Sequence, residues 1–280
     1  MTEPMPPVSN IHLYYRHSLP VRIMHWLTVI LLPILLMSGL NIFNANSELY
    51  WGKSSYSGAP PLLELRSKED DNGDISGVTR ILGHEFNTTG FLGASNDGEG
   101  VLEDRSFPSW LTIPGKRWLS MARRWHLFFA WAFGINVLCY VGYSVFSRHL
   151  QRNLFPTKED LHLIGKTFKD HLLLRHAAGE TARDYNVLQK LAYLCVIFIL
   201  FPLVILNGLG MSPGINALHP GWIDLFGGRQ SMRTIHFIVT WALVGFTAVH
   251  LFQVIVNGFW NNLRSMITGN YRIRSETEHE

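Results

Sequence analysis

Four stretches of the chain run without a single Asp, Glu, Lys or Arg: residues 23–46, 125–147, 191–211 and 234–263. A helix crossing a hydrocarbon core of roughly 30 Å needs about 20 largely apolar residues, and each stretch reaches that length. The expected fold is therefore all-α, an integral membrane four-helix bundle with spans at about 23–46, 125–147, 191–211 and 234–259. The fourth run is longer than a bilayer needs, so its membrane part is expected to end near Phe259. Pro33 and Pro202 should bend the first and third spans. The first apolar run is too long for a cleaved signal segment and no small-residue cleavage site closes it, so it is read as retained.

Polar positions concentrate between the spans. A long outer loop, residues 47–118, contains DDNGD and GASNDGEG and few regularly spaced hydrophobes, which argues against a domain of its own. It reads either as an excursion that touches a partner or as a merely solvated loop. Residues 148–186 carry seven Lys or Arg, which favours the cytoplasm for that loop and, with four spans, for both termini. Lys116, Arg117, Arg123 and Arg124 on the other side weigh against that orientation. Within the connection, residues 159–174 have one apolar face, suited to a helix lying along the membrane surface.

Composition agrees with a membrane setting. Charged residues are only 16% of the chain, against about 25% in soluble proteins. The net charge of +3 is too small, and its basic residues too scattered, to indicate nucleic acid. Cys139 and Cys195 lie in apolar runs with no zinc or c-type haem spacing, and they read as small buried hydrophobes. GxGxxG, P-loop, HExxH and catalytic-triad patterns are absent, so the chemistry must come from a cofactor.

The histidines point to which cofactor. Of thirteen, four lie in or at the ends of spans: His25, His126, His236 and His250. An ionisable side chain at membrane depth is costly and so is a functional candidate facing the protein interior. His236 and His250 are fourteen residues apart, which returns to nearly the same helical face about 21 Å along the axis. Alternating span direction puts His25 and His250 near the inner surface, and His126 and His236 near the outer one. The result is two bis-histidine sites stacked across the bilayer, the ligation a six-coordinate b-type haem requires. The remaining histidines fall in tails or loops; a metal site among His162, His171 and His176 is a weaker alternative.

Small and basic residues accompany the four. Gly39, fourteen residues after His25, lies on the same face at the level of the other site, where a missing side chain would let a macrocycle approach. Gly134, Gly142 and Gly245 suit the same purpose or ordinary close helix packing. Arg22, Arg124 and Arg233 sit two or three residues before a histidine, where a guanidinium could pair haem propionates or snorkel to headgroups.

Together, RIMHW at 22–26 followed by MSG at 37–39, RRWH at 123–126, YNVLQK at 185–190, RTIHF at 233–237 and His250 resemble the di-haem membrane cytochrome b subunits of bacterial respiratory enzymes. This cytochrome b561-like family includes the b subunits of hydrogenases, thiosulfate reductases and formate dehydrogenases. The resemblance covers all four spans. It implies that His25, His126, His236 and His250 are haem axial ligands and that the N-terminus is cytoplasmic. YNVLQK looks like the stretch that approaches a quinone in the formate dehydrogenase subunit, with Asn186 in place of its quinone-contacting Asn and Leu188 departing from a glycine. On chemistry alone, Asn186 and Gln189 could hydrogen-bond a quinone carbonyl, or Asn186 could cap its helix. LFGGRQSMRTIHF and WNNLRSMITG look closest to subunits that accompany periplasmic molybdopterin oxidoreductases.

The expected function is transfer of electrons through two haem b groups, in the bacterial inner membrane, between quinone or quinol and a periplasmic redox subunit. A molybdopterin oxidoreductase is the expected partner, with hydrogenase or cytochrome c as alternatives. Two rivals are a stand-alone haem enzyme meeting a small oxidant such as superoxide at the outer haem, and a non-haem proton or metal transporter.

Overall fold

A computed structural model of the chain describes residues 10–54, 59–172, 185–219 and 221–275. Four of its helices are long and apolar enough to cross a membrane: Leu19–Phe43, Leu119–Phe146, Val187–Gly210 and Arg229–Val256. Each begins a few residues before its charge-free run, because Arg22, Arg124, Lys190 and Arg233 continue the helical ladder. Phe128, Leu138, Phe146, Val249 and Ile255 are exposed on these helices. Such faces are costly in water and at home in lipid.

The two prolines are accommodated differently. Pro33 lies inside an uninterrupted helix. In the third span a π-helical stretch, Val196–Leu200, directly precedes the segment Phe201–Gly210 that contains Pro202. Pro202 has no N–H to return to the preceding turn, and the wider turn absorbs the loss. That span starts at a capping box: Asn186 Oδ1 accepts from the Gln189 N–H at 2.9 Å, and Gln189 Oε1 accepts from the Asn186 N–H at 3.2 Å.

The chain divides into two compact units, one of Leu27–Asn136 and Phe201–Ala242, the other of Met1–Trp26, Val137–Leu200 and Leu243–Glu280. The first holds the long loop, which is folded rather than merely solvated. Strands Glu48–Leu49, Leu63–Glu69, Ile75–Ile81 and His84–Asn87 form an antiparallel sheet in that order, and Ala94–Asn96 pairs with Leu102–Asp104. Gly77 permits the close approach of these pieces, since a Cβ there would collide with the Leu92 carbonyl. Leu49, Leu65 and Phe107 from the loop share a core with Leu40 and Phe43 from the first span. Asn41 donates to the carbonyls of Pro114 at 2.6 Å and Lys116 at 3.0 Å, and Asn44 Oδ1 accepts from the Phe107 N–H at 2.8 Å. The centre of the module is Arg105, 1% exposed. It donates to the carbonyls of Phe107 and Gly115, to Thr112 Oγ1 and to Glu103.

In the second unit the segments flanking the first and fourth spans form a ribbon. Strand Asn10–Tyr15 pairs antiparallel with Asn270–Ser275, Tyr15 opposite Asn270. The ribbon closes at Gly269, whose carbonyl accepts from the Arg16 N–H at 2.8 Å. A Cβ on Gly269 would meet the His17 carbonyl at 2.9 Å, and its φ of +89° suits glycine. The short helix Lys158–His162 has its own capping box at Thr157 and Asp160, and Lys190 Nζ lies 2.6 Å from Asp160 Oδ2. His171 and His176, which the sequence places with His162 as a weak metal candidate, have side chains outside those described. Among the described residues no three His, Cys, Asp or Glu side chains gather as a metal site.

Two outcomes follow. Arg105→Ala leaves several buried acceptors unpaired and should cost about 3 kcal/mol, raising amide exchange in the strands of 63–104 roughly 100-fold; unchanged exchange there contradicts the role given to Arg105. The Lys190 hydrogen bond, then that of the Thr157 N–H, pulls the Asp160 carboxyl below its ordinary value. This pairing therefore stabilises the fold above the ordinary carboxylate range and is lost as pH falls through the depressed value. Asp160→Asn should reduce the difference in melting temperature between neutral and acidic pH, measured by thermal unfolding in detergent.

Candidate functional site

Each unit brings two span histidines face to face. In the first, the imidazoles of His126 and His236 have ring centres 6.2 Å apart and planes at 69°. His126 Nδ1 lies 3.1 Å from the Leu35 carbonyl and 3.1 Å from Ser38 Oγ, and His236 Nδ1 lies 2.9 Å from the Val204 carbonyl. A backbone carbonyl accepts only a protonated nitrogen, so these bonds favour the tautomer that leaves Nε2 free as a ligand. Two glycines fix the rings from behind. A Cβ on Gly39 would stand 3.3 Å from His126 Cε1, and a Cβ on Gly208 would stand 3.3 Å from His236 Cε1. Gly39 thus packs against the His126 imidazole. A Cβ on Gly134, Gly142 or Gly245 would meet nothing within 4 Å.

In the second unit His25 and His250 have ring centres 6.3 Å apart and planes at 62°. The ribbon and the helix Phe259–Thr268 that leads into it hold the start of the first span here. Trp26 Nε1 donates to the Met266 carbonyl at 3.0 Å, and the Arg22 guanidinium donates to the Ile267 carbonyl. Phe246 stacks on His250 at 5.9 Å and Tyr193 meets it edge-on at 6.4 Å. His25 Nδ1 is buried without a hydrogen-bond partner.

Both spacings fit a metal between two imidazoles. A metal about 2 Å from each ligating nitrogen, with roughly 1.1 Å more to each ring centre, separates the centres by about 6.3 Å. Directly hydrogen-bonded imidazoles would stand closer together than coaxial ligands of one ion, and no hydrogen bond joins either pair. The donor set, neutral nitrogens on facing apolar helices, suits haem iron.

The sequence model of the prokaryotic cytochrome b561 family matches residues 16–269. The chain belongs to that family. It is a multi-pass membrane protein of the haem-binding cytochrome b class. A relative from Azospira oryzae, described as a putative protein-methionine-sulfoxide reductase subunit YedZ1, is 32% identical over 147 residues, which is 52% of this chain and 70% of that protein. No solved structure matches the chain.

The other expected site residues of this cytochrome fall out as follows. Arg233 donates to the carbonyls of Glu48, at 3.0 Å, and Asn46, and its guanidinium lies 5.3 Å from the centre of the Phe43 ring. With Thr234 Oγ1 donating to the Tyr50 carbonyl at 2.6 Å, it fastens the loop beside His236. Arg124 is exposed. Asn186 and Gln189 engage each other in the capping box through their side-chain oxygens, which leaves both NH2 groups as donors. Ser38, Gly208 and Tyr193 escape the sequence reading. Gly208 carried a usable signal, a glycine in an apolar span, but no histidine at helical spacing on its own span drew attention to it.

Gly208→Val should displace the His236 ring and lower the haem content per chain, read from the Soret absorbance relative to protein. Gly165→Ala, whose added carbon meets nothing within 4 Å, should leave that ratio at the wild-type value. Equal ratios in the two variants contradict the packing assigned to Gly208.

Proposed function

We propose that this cytochrome holds two b haems and passes electrons across the bacterial inner membrane between the quinone pool and a periplasmic oxidoreductase. The observation that carries the reading is the occurrence of two histidine pairs, both at the ring spacing of coaxial ligands. His126 and His236 would hold one haem, and His25 and His250 the other. His236 and His250 stand on one uninterrupted helix, where fourteen residues amount to about 21 Å of rise. Both termini and residues 148–186 lie in the cytoplasm, and residues 47–118 in the periplasm.

Haem supplies the one-electron chemistry, and the chain supplies ligation and surroundings. Arg22, Arg124 and Arg233 lie at the ends of the spans as partners for haem carboxylates. Gly39 and Gly208 set the orientation of the ligating rings. Asn186 and Gln189, at the start of the third span, offer their NH2 groups to a quinone carbonyl while their oxygens hold the helix start. The Azospira oryzae relative is named as a subunit of a reductase, which supports a catalytic partner here too. We assign that partner to the periplasmic molybdopterin oxidoreductases, with the folded loop, tied to the His236 end of its span by Arg233 and Thr234, as the element that meets it.

A pyridine haemochrome assay on the purified protein should count about two b haems per chain. His236→Ala and His250→Ala should each bring the count towards one, and the double variant towards none. A count of one in the wild type, or an unchanged count in either variant, contradicts the assignment; a colourless folded protein contradicts haem binding altogether.

A further inference from the structure

In the unit that holds His25 and His250, three arginines have no counter-ion among the described residues. Arg16 Nε, Arg22 Nε and Arg264 Nη1 are buried with no hydrogen-bond partner. Among the described residues no ion pair holds any of the three. Each of these half-buried guanidinium groups keeps a buried N–H without an acceptor and a charge that no anion balances, so they suit something negative.

Their positions are fixed by independent elements. Arg16 follows the strand Asn10–Tyr15, and its guanidinium is sandwiched 4.9 Å from the Tyr185 ring centre and 4.8 Å from that of Tyr271. Arg22 is anchored through the Ile267 carbonyl, one helical turn beyond Arg264. His17 lies among them, 7% exposed, with Tyr185 Oη 3.4 Å from its Nδ1. Burial first, then the charges of Arg16, His25, His149 and Arg22, push His17 down to about 3. It is therefore neutral at physiological pH, and the uncompensated positive charge comes from the arginines.

We infer that Arg16, Arg22 and Arg264 form a cationic cradle for the propionate carboxylates of the haem held by His25 and His250. This rests on the two-haem reading above and extends it to two arginines outside the motif that carries His25. The ligand chemistry, a pair of oxyanions, could also be met by a lipid headgroup phosphate; the haem is favoured because Arg22 lies one turn from His25 on the same helix. Fixed positive charge beside a haem stabilises the form carrying the extra electron, so the cradle raises that haem's midpoint potential.

The test is an equilibrium redox titration, followed in the α-band, of the wild type, Arg16→Gln, Arg264→Gln and the surface control Lys166→Gln, each with a haemochrome count. The expected result is a lowered midpoint for one haem in the two arginine variants, the haem that disappears in His250→Ala. The other midpoint and the control should stay put. If a Gln variant loses that haem, Arg16→Lys and Arg264→Lys should restore it. Unmoved midpoints with about two haems retained overturn the cradle; if bound phospholipid phosphate falls at the same time, the anion is a headgroup. Loss of that haem in the Gln and Lys forms alike also overturns it, since charge is then not what the site needs. A wild type without haem instead overturns the reading on which the cradle rests.

Discussion

A buried imidazole is best satisfied on two sides, and the architecture around His126 and His236 answers that demand. One nitrogen must find a hydrogen-bond acceptor inside the protein, and the other must meet a ligand or a partner across the helix interface. His126 and His236 meet the first condition through the carbonyls of Leu35 and Val204. The second is met by facing rings at a spacing that admits an ion and excludes a direct hydrogen bond. Glycine at 39 and 208 is the packing consequence, because each ring lies flush against a neighbouring helix.

The non-helical parts then have a structural purpose. The terminal ribbon pairs segments about 260 residues apart and, through Trp26 and Arg22, seats the start of the first span against the helix that follows the fourth. Around the His126 and His236 pair, the loop is joined to the first span by Asn41 and Asn44 and to the fourth by Arg233 and Thr234. Phe43 joins these contacts, 4.9 Å from Phe237 and 5.9 Å from Phe107. A protein bound to the loop would therefore press on elements adjacent to a histidine pair, with few intervening contacts.

What the sequence discloses follows the range of the interactions involved. The four helices are legible because burial in lipid imposes a long charge-free run that no other environment demands. The histidine pairing is legible because span direction and helical spacing are simple geometry. The loop is not, since its first strand is two residues long and the face bearing Arg66, Lys68, Arg80 and Glu85 reads as solvated when it is a cross-strand ion-pair ladder. The ribbon is equally hidden, because nothing local to Asn10–Tyr15 names its distant partner. Arg233 shows a subtler limit: its spacing from His236 marks it as basic and close to the site, but only the fold shows it engaged by the carbonyls of Asn46 and Glu48.

The central claim is that both histidine pairs are coaxial ligand sets, and the angle between their planes offers the most direct check. Planes at 62° and 69° are far from parallel, and a ferric haem held by imidazoles so inclined would give a strongly anisotropic low-spin signal. Low-temperature electron paramagnetic resonance of the oxidised protein should therefore show two such low-spin signals, one removed by His236→Ala and the other by His250→Ala. A dominant high-spin signal, or a single low-spin signal surviving either substitution, would contradict the account.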